Sequence, residues 1–150
     1  MPELPEVEVV KRSLQRDIIS LTIKNIEINN VNLRYKVKKK EFYKLIKSKV
    51  ISISRRSKYL LINLSGQISI IVHLGMTGKF FITNSKKKIK KLSFYYVLDD
   101  KKNKHDHLIF KFNKNIKLIY NDVRRFGFIK IIKTAEINNT SHFKLLGPEP

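Results

Sequence analysis

Cysteine is absent from this chain of 150 residues. Disulfide bonds and thiolate metal sites are therefore excluded within it, and a reducing compartment is compatible with the composition. The four histidines are too few and too scattered to indicate a metal site. We expect the chain to bind no metal or other cofactor.

Long hydrophobic runs and a targeting signal are also lacking. No apolar stretch approaches the ~20 residues that a membrane span requires. The opening residues, MPELPEVE, are acidic and lack the basic and apolar regions of a signal peptide. These absences predict a cytoplasmic protein that does not bind a membrane.

Acidic residues are few: 12 Asp and Glu stand against 32 Lys and Arg, which leaves a formal net charge of +20. Such an excess attracts polyanions and makes their binding sensitive to salt, which favours nucleic acid as the partner. The abundance of Lys, Asn and Ile is also typical of drift in an AT-rich genome, so plain surface solvation stays an alternative. With 42% apolar residues the chain can bury an ordinary core, and we expect residues 1–150 to form one domain.

The first predicted element is an amphipathic helix. Its apolar positions recur at steps of three and four, at Leu4, Val7, Val10, Leu14 and Ile18. Pro2 and Pro5, together with early glutamates, mark its beginning, because proline and negative charge suit the first turn of a helix. A short second helix is predicted over residues 41–47, where the apolar spacing is again helical.

Most of the remaining chain has the pattern of short β-strands. The predicted strands cover residues 22–29, 50–54, 59–64, 67–74, 79–83, 92–98, 108–112, 116–120 and 128–132. Turn residues separate them at 65–66, 75–78, 113–115 and 121–127, and the lysine-rich tract 86–91 is interpreted as a solvated loop. Hairpin spacing favours an antiparallel sandwich or barrel. The predicted fold class is mainly β with flanking α-helices, as an antiparallel two-layer β-sandwich.

The N-terminus carries a candidate nucleophile. Removal of Met1 would expose Pro2 as a secondary amine, and such an amine attacking a sugar C1′ yields an iminium that draws electrons without being protonated. At the beginning of a helix this amine should also lose its proton more readily. Glu3 lies beside it in sequence and could donate a proton, although an acid in the first turn is more commonly a complement to the helix dipole.

Two turns add candidate nucleic-acid contacts. Lys58 lies in a basic cluster between two predicted strands, where it could act as an acid on a leaving oxygen or belong to a solvated hairpin end. The HLGMTG segment has two glycines that define a tight loop, with Met76 at its tip. An apolar tip is unfavourable in water unless it inserts elsewhere, so Met76 could be a wedge into a base stack.

The NDVRRFG segment combines turn residues with Arg124, Arg125 and Phe126, which could contact phosphate, fill a vacated base position and stack. A core phenylalanine beside surface arginines explains the pattern equally well. His105 and His107 are two residues apart and would face the same way on a strand, which suits phosphate contacts better than a metal, because further ligands are missing nearby.

Taken in order, MPELPEVE, RRSKYLL, HLGMTG, KHDH, DVRRFG and LGPEP resemble the N-terminal domain of the formamidopyrimidine-DNA glycosylase family. The resemblance spans essentially the whole chain. The initial PELPE points to the purine-directed branch, because the sister endonuclease VIII group typically begins with PEGPE. The resemblance implies a monomeric, bifunctional DNA glycosylase and abasic-site lyase that removes 8-oxoguanine and formamidopyrimidines from double-stranded DNA in base-excision repair.

The resemblance also implies roles for particular residues. Pro2 would be the Schiff-base nucleophile, Glu3 the proton donor for glycosylase chemistry and Lys58 the proton donor for β-elimination. Glu6 would support the lesion pocket. The implied DNA-binding residues are His73, Met76, His105, Arg124, Arg125 and Phe126, of which Met76, Arg124 and Phe126 would fill the gap left by the extruded nucleotide.

The chain departs from the family pattern in two ways. Val123 stands where the family usually has proline, so we expect a less rigid loop and a small effect on DNA affinity. Family members continue after LGPEP into a helix–two-turns–helix domain and a cysteine zinc finger, and we expect neither here. Half of the phosphate contacts would then be missing, which predicts a feeble enzyme. The alternative is a catalytically inactive DNA-binding module, and a basic RNA-binding barrel would explain the charge alone.

Overall fold

The computed structural model describes residues 4–84, 89–91, 105–125 and 127–139. Its helices are α1 (Leu4–Ile18) and α2 (Lys39–Tyr43). Its strands are β1 (Ile23–Ile28), β2 (Val50–Arg56), β3 (Tyr59–Leu64), β4 (Ile68–His73), β5 (Gly78–Thr83), β6 (Ile89–Lys91), β7 (Asp106–Phe112), β8 (Lys117–Asp122) and β9 (Phe128–Lys133). Short 3₁₀ helices cover Asn113–Asn115 and Thr134–Asn139. Within the described residues, no helix combines the length and the apolar character needed to cross a membrane.

The strands form two antiparallel sheets. One has five strands in the order β1-β7-β8-β5-β6, and the other has four in the order β2-β3-β4-β9. Both sheets contribute to a single buried cluster, which includes Ile62 and Val72 from one sheet and Phe80 and Phe110 from the other. Two sheets that share one apolar core form a sandwich. The predicted fold class, mainly β with flanking helices, is confirmed.

Helix α1 packs its apolar face against this core. Val7, Val10, Leu14 and Ile18 are at most 4% exposed and belong to the same cluster. Burying side chains of this size stabilises a fold by about 1.5–3 kcal/mol each. The spacing that predicted the helix is therefore also what attaches it to the sandwich.

Several described segments differ from the predicted elements, and β2 and β7 are each two residues longer than predicted. Strand β6 lies within the tract that was interpreted as a solvated loop and pairs with β5, as the last of the described strands in its sheet; lysine-rich segments occur in edge strands as well as in loops, because their charge discourages pairing with other chains. The second helix ends earlier than predicted, since residues 44–47 form turns. Strand β8 continues to Asp122, so the following loop is two residues shorter. The predicted strand 92–98 lies outside the described residues.

Two connections between the sheets lie at one end of the sandwich. Residues 74–77 lead from β4 to β5, and residues 123–127 lead back from β8 to β9. Gly78 is paired with Asp122 in one sheet, and His73 is paired with Phe128 in the other. The two loops therefore begin and end beside each other, although about 50 residues separate them in the chain.

Candidate active site and nucleic-acid interface

The strand register brings the predicted site segments to this same end. Tyr59 follows the β2–β3 turn and is paired with His73, which places Lys58 beside the beginning of the 74–77 loop. On the other sheet, Asp106 is paired with Asn121, so that His105 lies next to the end of β8. The turn with Lys58, the two connecting loops and His105 thus lie at one end of the sandwich and define a candidate surface there.

Helix α1 runs antiparallel to β2, with its first residues toward this surface. Gln15 near the end of the helix donates through Nε2 to the carbonyl oxygen of Ile53 at 3.0 Å, whereas Glu8 near its beginning meets Arg55, further along the strand. The beginning of α1 therefore points to the β2–β3 turn. Pro2 and Glu3 directly precede α1 in sequence and lie outside the described residues, and Glu6 is exposed in its first turn.

One carboxylate ties the helix to the turn. Glu8 Oε1 accepts from Arg55 Nε at 3.0 Å, while Oε2 is 3.0 Å from Lys11 Nζ and 3.1 Å from Arg12 Nε. Arg55 also donates through Nη1 to the carbonyl oxygen of Ser57 at 2.8 Å, inside the turn that carries Lys58. Hydrogen bonds first from Lys11 and then from Arg55 lower the pKa of Glu8 from 4.5 to about 2, so that the carboxylate is charged at neutral pH.

The 74–77 loop is closed by its own backbone. The amide of Gly78 donates to the carbonyl oxygen of Leu74 at 2.7 Å, and Gly75 adopts φ +64°, a region that favours glycine. A Cβ at Gly78 would lie 2.1 Å from that same oxygen, so only glycine permits the closure. Met76 is 63% exposed at the tip, as the two-glycine pattern predicted.

His73 supports this loop from below. Its ring is 4% exposed and stacks on Phe128 with centroids 5.7 Å apart and an interplanar angle of 12°. Its Nδ1 accepts a hydrogen bond from the amide of Gly75 at 3.2 Å. His73 therefore stabilises the 74–77 loop through this hydrogen bond. A direct contact of His73 with DNA stays a prediction.

The 123–127 loop presents basic side chains beside Met76. Arg124 and Arg125 are exposed, and Arg125 has φ +59°. Val123 is 51% exposed, at the position where proline is usual in the family suggested by the sequence. Phe126 lies outside the described residues. A Cβ at Gly127 would lie 2.5 Å from the carbonyl oxygen of His73, so glycine lets the two loops approach closely.

The two histidines of the KHDH segment are not equivalent, contrary to the prediction. His105 precedes β7 in a turn and is partly exposed, whereas His107 is 2% exposed within the strand. His107 Nε2 donates to the carbonyl oxygen of Asp122 at 2.7 Å. Among the described residues, no group of three or more His, Cys, Asp or Glu is arranged to hold a metal ion.

Comparison with known proteins identifies the family. The family model for the formamidopyrimidine-DNA glycosylase N-terminal domain matches residues 1–129. The chain belongs to this family. Formamidopyrimidine-DNA glycosylases from Rickettsia africae and Rickettsia felis are 40% and 41% identical to it over 150 residues. The match covers all of this chain but only 50% and 49% of those relatives, so the chain spans about half of their length.

Solved structures of family members have the same fold. A complex of the Lactococcus lactis Fpg with DNA that contains an abasic site superimposes with a TM-score of 0.76 at 34% identity. A complex of the same enzyme with DNA containing N7-benzyl-Fapy-dG gives the same score and identity. Each match covers 92% of this chain and 46% of the other. The resemblance stated from the sequence motifs is thereby confirmed.

Sequence reasoning missed two carboxylates in this family member. Glu8 was treated only as one of the early glutamates that mark the beginning of α1. Its pairs with Lys11 and Arg12 follow from helical spacing, but its partner Arg55 is 47 residues away and gave no local signal. Asp122 was treated as a turn residue. It is fully buried at the end of β8, where its side chain accepts hydrogen bonds from the amides of the following loop.

Proposed function

We propose that this chain carries the catalytic half of a bifunctional DNA glycosylase and abasic-site lyase that removes oxidised purines from double-stranded DNA. The main support is that the candidate residues lie close together in the fold. Lys58, Met76, His105 and Arg124 come from four separate segments, and the strand register brings all four to one end of the sandwich. Side chains gathered on turns at one end of a rigid scaffold are typical of a functional site.

The proposed chemistry begins at Pro2. Its amine forms a bond to C1′ of the damaged nucleotide as the bond from C1′ to the base breaks, and the base leaves with the bonding electrons and takes up a proton. Glu3 protonates the sugar ring oxygen as the ring opens, and the amine nitrogen gives up its own proton to become an iminium. A base then removes a proton from C2′, the C2′–H bonding electrons move into the iminium, and the resulting enamine expels the 3′ phosphate, with Lys58 as the proton donor for the elimination.

The two exposed loops supply the step that precedes this chemistry. A nucleotide must leave the base stack before C1′ and the base can be reached. Side chains that insert into the vacated space keep the remaining bases apart and stabilise the extruded state. Met76 and Arg124 are exposed at the tips of adjacent loops, and Phe126 completes the set that the family resemblance implies. Arg125 and His105 would contact phosphates.

The setting proposed for this activity is the bacterial cytoplasm, where the chain would act as a monomer on chromosomal DNA without a cofactor of its own. The relatives named above are bacterial enzymes, which supports a bacterial origin. The formal net charge of +20 supports binding to a polyanion.

Borohydride trapping tests the proposal. The purified full chain, with removal of Met1 verified by intact mass, is incubated with duplexes that carry 8-oxoguanine or an abasic site, and the iminium is reduced. We expect a covalent complex on the abasic duplex whose linkage maps to Pro2, and Pro2→Gly should lower its yield by about tenfold or more. An Asp17→Asn variant, changed in the last turn of α1 at the end away from Pro2, serves as the matched control and should give the same yield as the unmodified chain.

The outcomes separate two functions. An adduct that maps to Pro2 supports the proposal, and excision of 8-oxoguanine in addition assigns both activities to this chain. Salt-sensitive binding to the abasic duplex without any adduct would instead show the alternative, an inactive DNA-binding module.

A further inference from the structure

Asp122 is bonded to both loops of the candidate interface. Its Oδ1 accepts from the hydroxyl of Thr77, in the 74–77 loop, and from the amide of Arg125 at 3.0 Å. Its Oδ2 accepts from the amide of Gly127 at 2.9 Å and from the hydroxyl of Tyr120 at 3.0 Å. A single carboxylate therefore receives donors from the 74–77 loop, from the 123–127 loop and from the strand beneath them.

The backbone of Asp122 reaches a third segment. Its amide donates to the carbonyl oxygen of His105 at 3.2 Å, and its carbonyl oxygen accepts from His107 Nε2 at 2.7 Å. Thr77 extends the network, because its Oγ1 also accepts from the amide of Arg124 at 3.1 Å. The segments that carry Met76, His105 and Arg124 are thus joined through one residue.

The surroundings of this carboxylate make the network stiff. Asp122 is fully buried, and the four donors to its side chain are uncharged hydroxyl and amide groups. Burial first, and then the charge of Asp122, raise the pKa of Tyr120, so that its hydroxyl stays a donor well above neutral pH. A buried acceptor whose donors come from several segments restrains all of them, because any departure leaves a polar group without a partner.

We propose that Asp122 is a positioning residue which, through Thr77, holds the two loops as one rigid unit, so that Met76 and Arg124 enter DNA together. This rests on the proposed function for the identity of the ligand, but not for the coupling between the loops. If both loop tips are already held in place before binding, less conformational entropy is lost when Met76 and Arg124 insert into DNA. Loops that moved independently would each bear that loss at the moment of binding.

Hydrogen exchange without DNA tests the coupling itself. Thr77→Val keeps the side-chain shape and removes the hydroxyl that joins the loops, whereas Tyr120→Phe removes another donor to the same carboxylate and leaves the Thr77 hydroxyl in place. Exchange is compared at the amides of Gly78, Arg124, Arg125 and Gly127, and is normalised to core amides of β4, so that a change in global stability cancels.

We expect Thr77→Val to speed exchange at Arg125 and Gly127 by about threefold or more, although their acceptor is Asp122 and not Thr77. At Arg125, whose amide donates to the other carboxylate oxygen, Tyr120→Phe should leave the ratio within about a factor of 1.5. Acceleration confined to Arg124, the only one of these amides that Thr77 accepts from, would overturn the proposal. Equal acceleration in both variants would also overturn it.

A double-mutant cycle on DNA tests the consequence. Binding to a duplex with a tetrahydrofuran abasic-site analogue is measured for Met76→Ala, Arg124→Ala and the double variant, each with Thr77 present and with Thr77→Val. With Thr77 we expect the double variant to weaken binding by little more than the larger single effect. With Thr77→Val the two effects should multiply.

The exchange and DNA-binding experiments distinguish failure of the loop coupling from failure of the proposed function. Multiplicative effects already with Thr77 present would show independent loops and overturn the inference. Failure of the unmodified chain to bind the duplex would count against the proposed function, while the exchange ratios would still decide whether Asp122 couples the loops.

Discussion

Two carboxylate-centred clusters differ in their surroundings. The Glu8 cluster consists of Glu8, Lys11, Arg12 and Arg55, and the Asp122 cluster consists of Asp122, Thr77, Tyr120, Arg125 and Gly127. Each uses a carboxylate to join segments that are distant in sequence at the same end of the sandwich. The Glu8 side chain is 25% exposed and its donors are charged. Asp122 is fully buried and its donors are neutral.

The difference lies in how each cluster responds to change. Charged pairs in contact with water contribute little net stability and are weakened by salt, but they can exchange partners without leaving a buried group unsatisfied. A buried carboxylate has no water to replace a lost donor. The Glu8 cluster is therefore an adjustable link between the beginning of α1 and the Lys58 turn, and the Asp122 cluster is a rigid one between the 74–77 and 123–127 loops.

The largest effect is expected from Asp122→Asn. The amide nitrogen would face donors that need an acceptor, so the free energy of unfolding should fall by about 2–3 kcal/mol. Urea denaturation measures it. Glu41→Gln, at an exposed carboxylate on α2, is the control and should change stability by less than about 0.5 kcal/mol. Equal losses in the two variants would contradict the contrast between buried and exposed carboxylates.

Gly127→Ala should have the next largest effect. The new Cβ would lie 2.5 Å from the carbonyl oxygen of His73 and 2.6 Å from the hydroxyl of Tyr120, so the loops must separate, at a cost of about 2 kcal/mol. Gly66→Ala is the matched control, because nothing lies within 4 Å of its Cβ and only its φ of +80° is unfavourable, which costs about 1 kcal/mol. A Gly127 variant as stable as the Gly66 variant would show that the contact between the loops relaxes easily.

Arg55→Lys should have a smaller effect that appears in chemistry more than in stability. Lysine keeps the charge but cannot bond Glu8 and the Ser57 carbonyl in the same forked geometry. The rate of borohydride-trapped adduct formation on an abasic duplex should fall by about threefold, with binding to the same duplex unchanged. If binding weakened to the same extent, Arg55 would instead belong to the surface that contacts DNA. As a control, Lys114→Arg, on a turn outside the Glu8 cluster, should change neither the rate of adduct formation nor the binding affinity.

The smallest effect concerns pH. Because the pKa of Glu8 is lowered in the folded chain from 4.5 to about 2, its pairing stabilises the fold above pH 4.5 and is lost as the pH falls toward 2. The stability difference between the unmodified chain and Glu8→Gln should therefore be constant near neutral pH, shrink below pH 4.5 and disappear only as the pH falls through about 2. Urea denaturation at stepped pH measures this difference. A constant difference over the whole range would show that Glu8 is not held by charged partners.

Much of the fold follows from local pattern. The spacing of Val7, Val10, Leu14 and Ile18 identified α1 and its buried face, and the predicted bounds of β3 match those observed. The glycines around Met76 indicated a tight loop with an exposed tip, as found. Strand β6 was missed because lysines are compatible with both an edge strand and a solvated loop, and only pairing with β5 decides between them.

Only part of the candidate site could be predicted from the sequence. The motifs marked Lys58, Met76, His105 and Arg124 one by one, and the family resemblance assigned their roles. Their meeting at one end depends on strand register, and the two carboxylates that organise them have partners up to 47 residues away. Contacts of that kind leave no periodic signal in a single sequence.

By itself, the sequence determined the class of elements, the family and the chemistry available at each turn, because helix periodicity, turn glycines and side-chain type are local properties. Only the tertiary structure decided that Asp122 is buried and not a turn residue, that His105 and His107 have different surroundings, and that the beginning of α1 is tied to the Lys58 turn. The physical reason is that burial and hydrogen-bond partners depend on which strands are neighbours, and strand neighbours are chosen by the shared core of the two sheets.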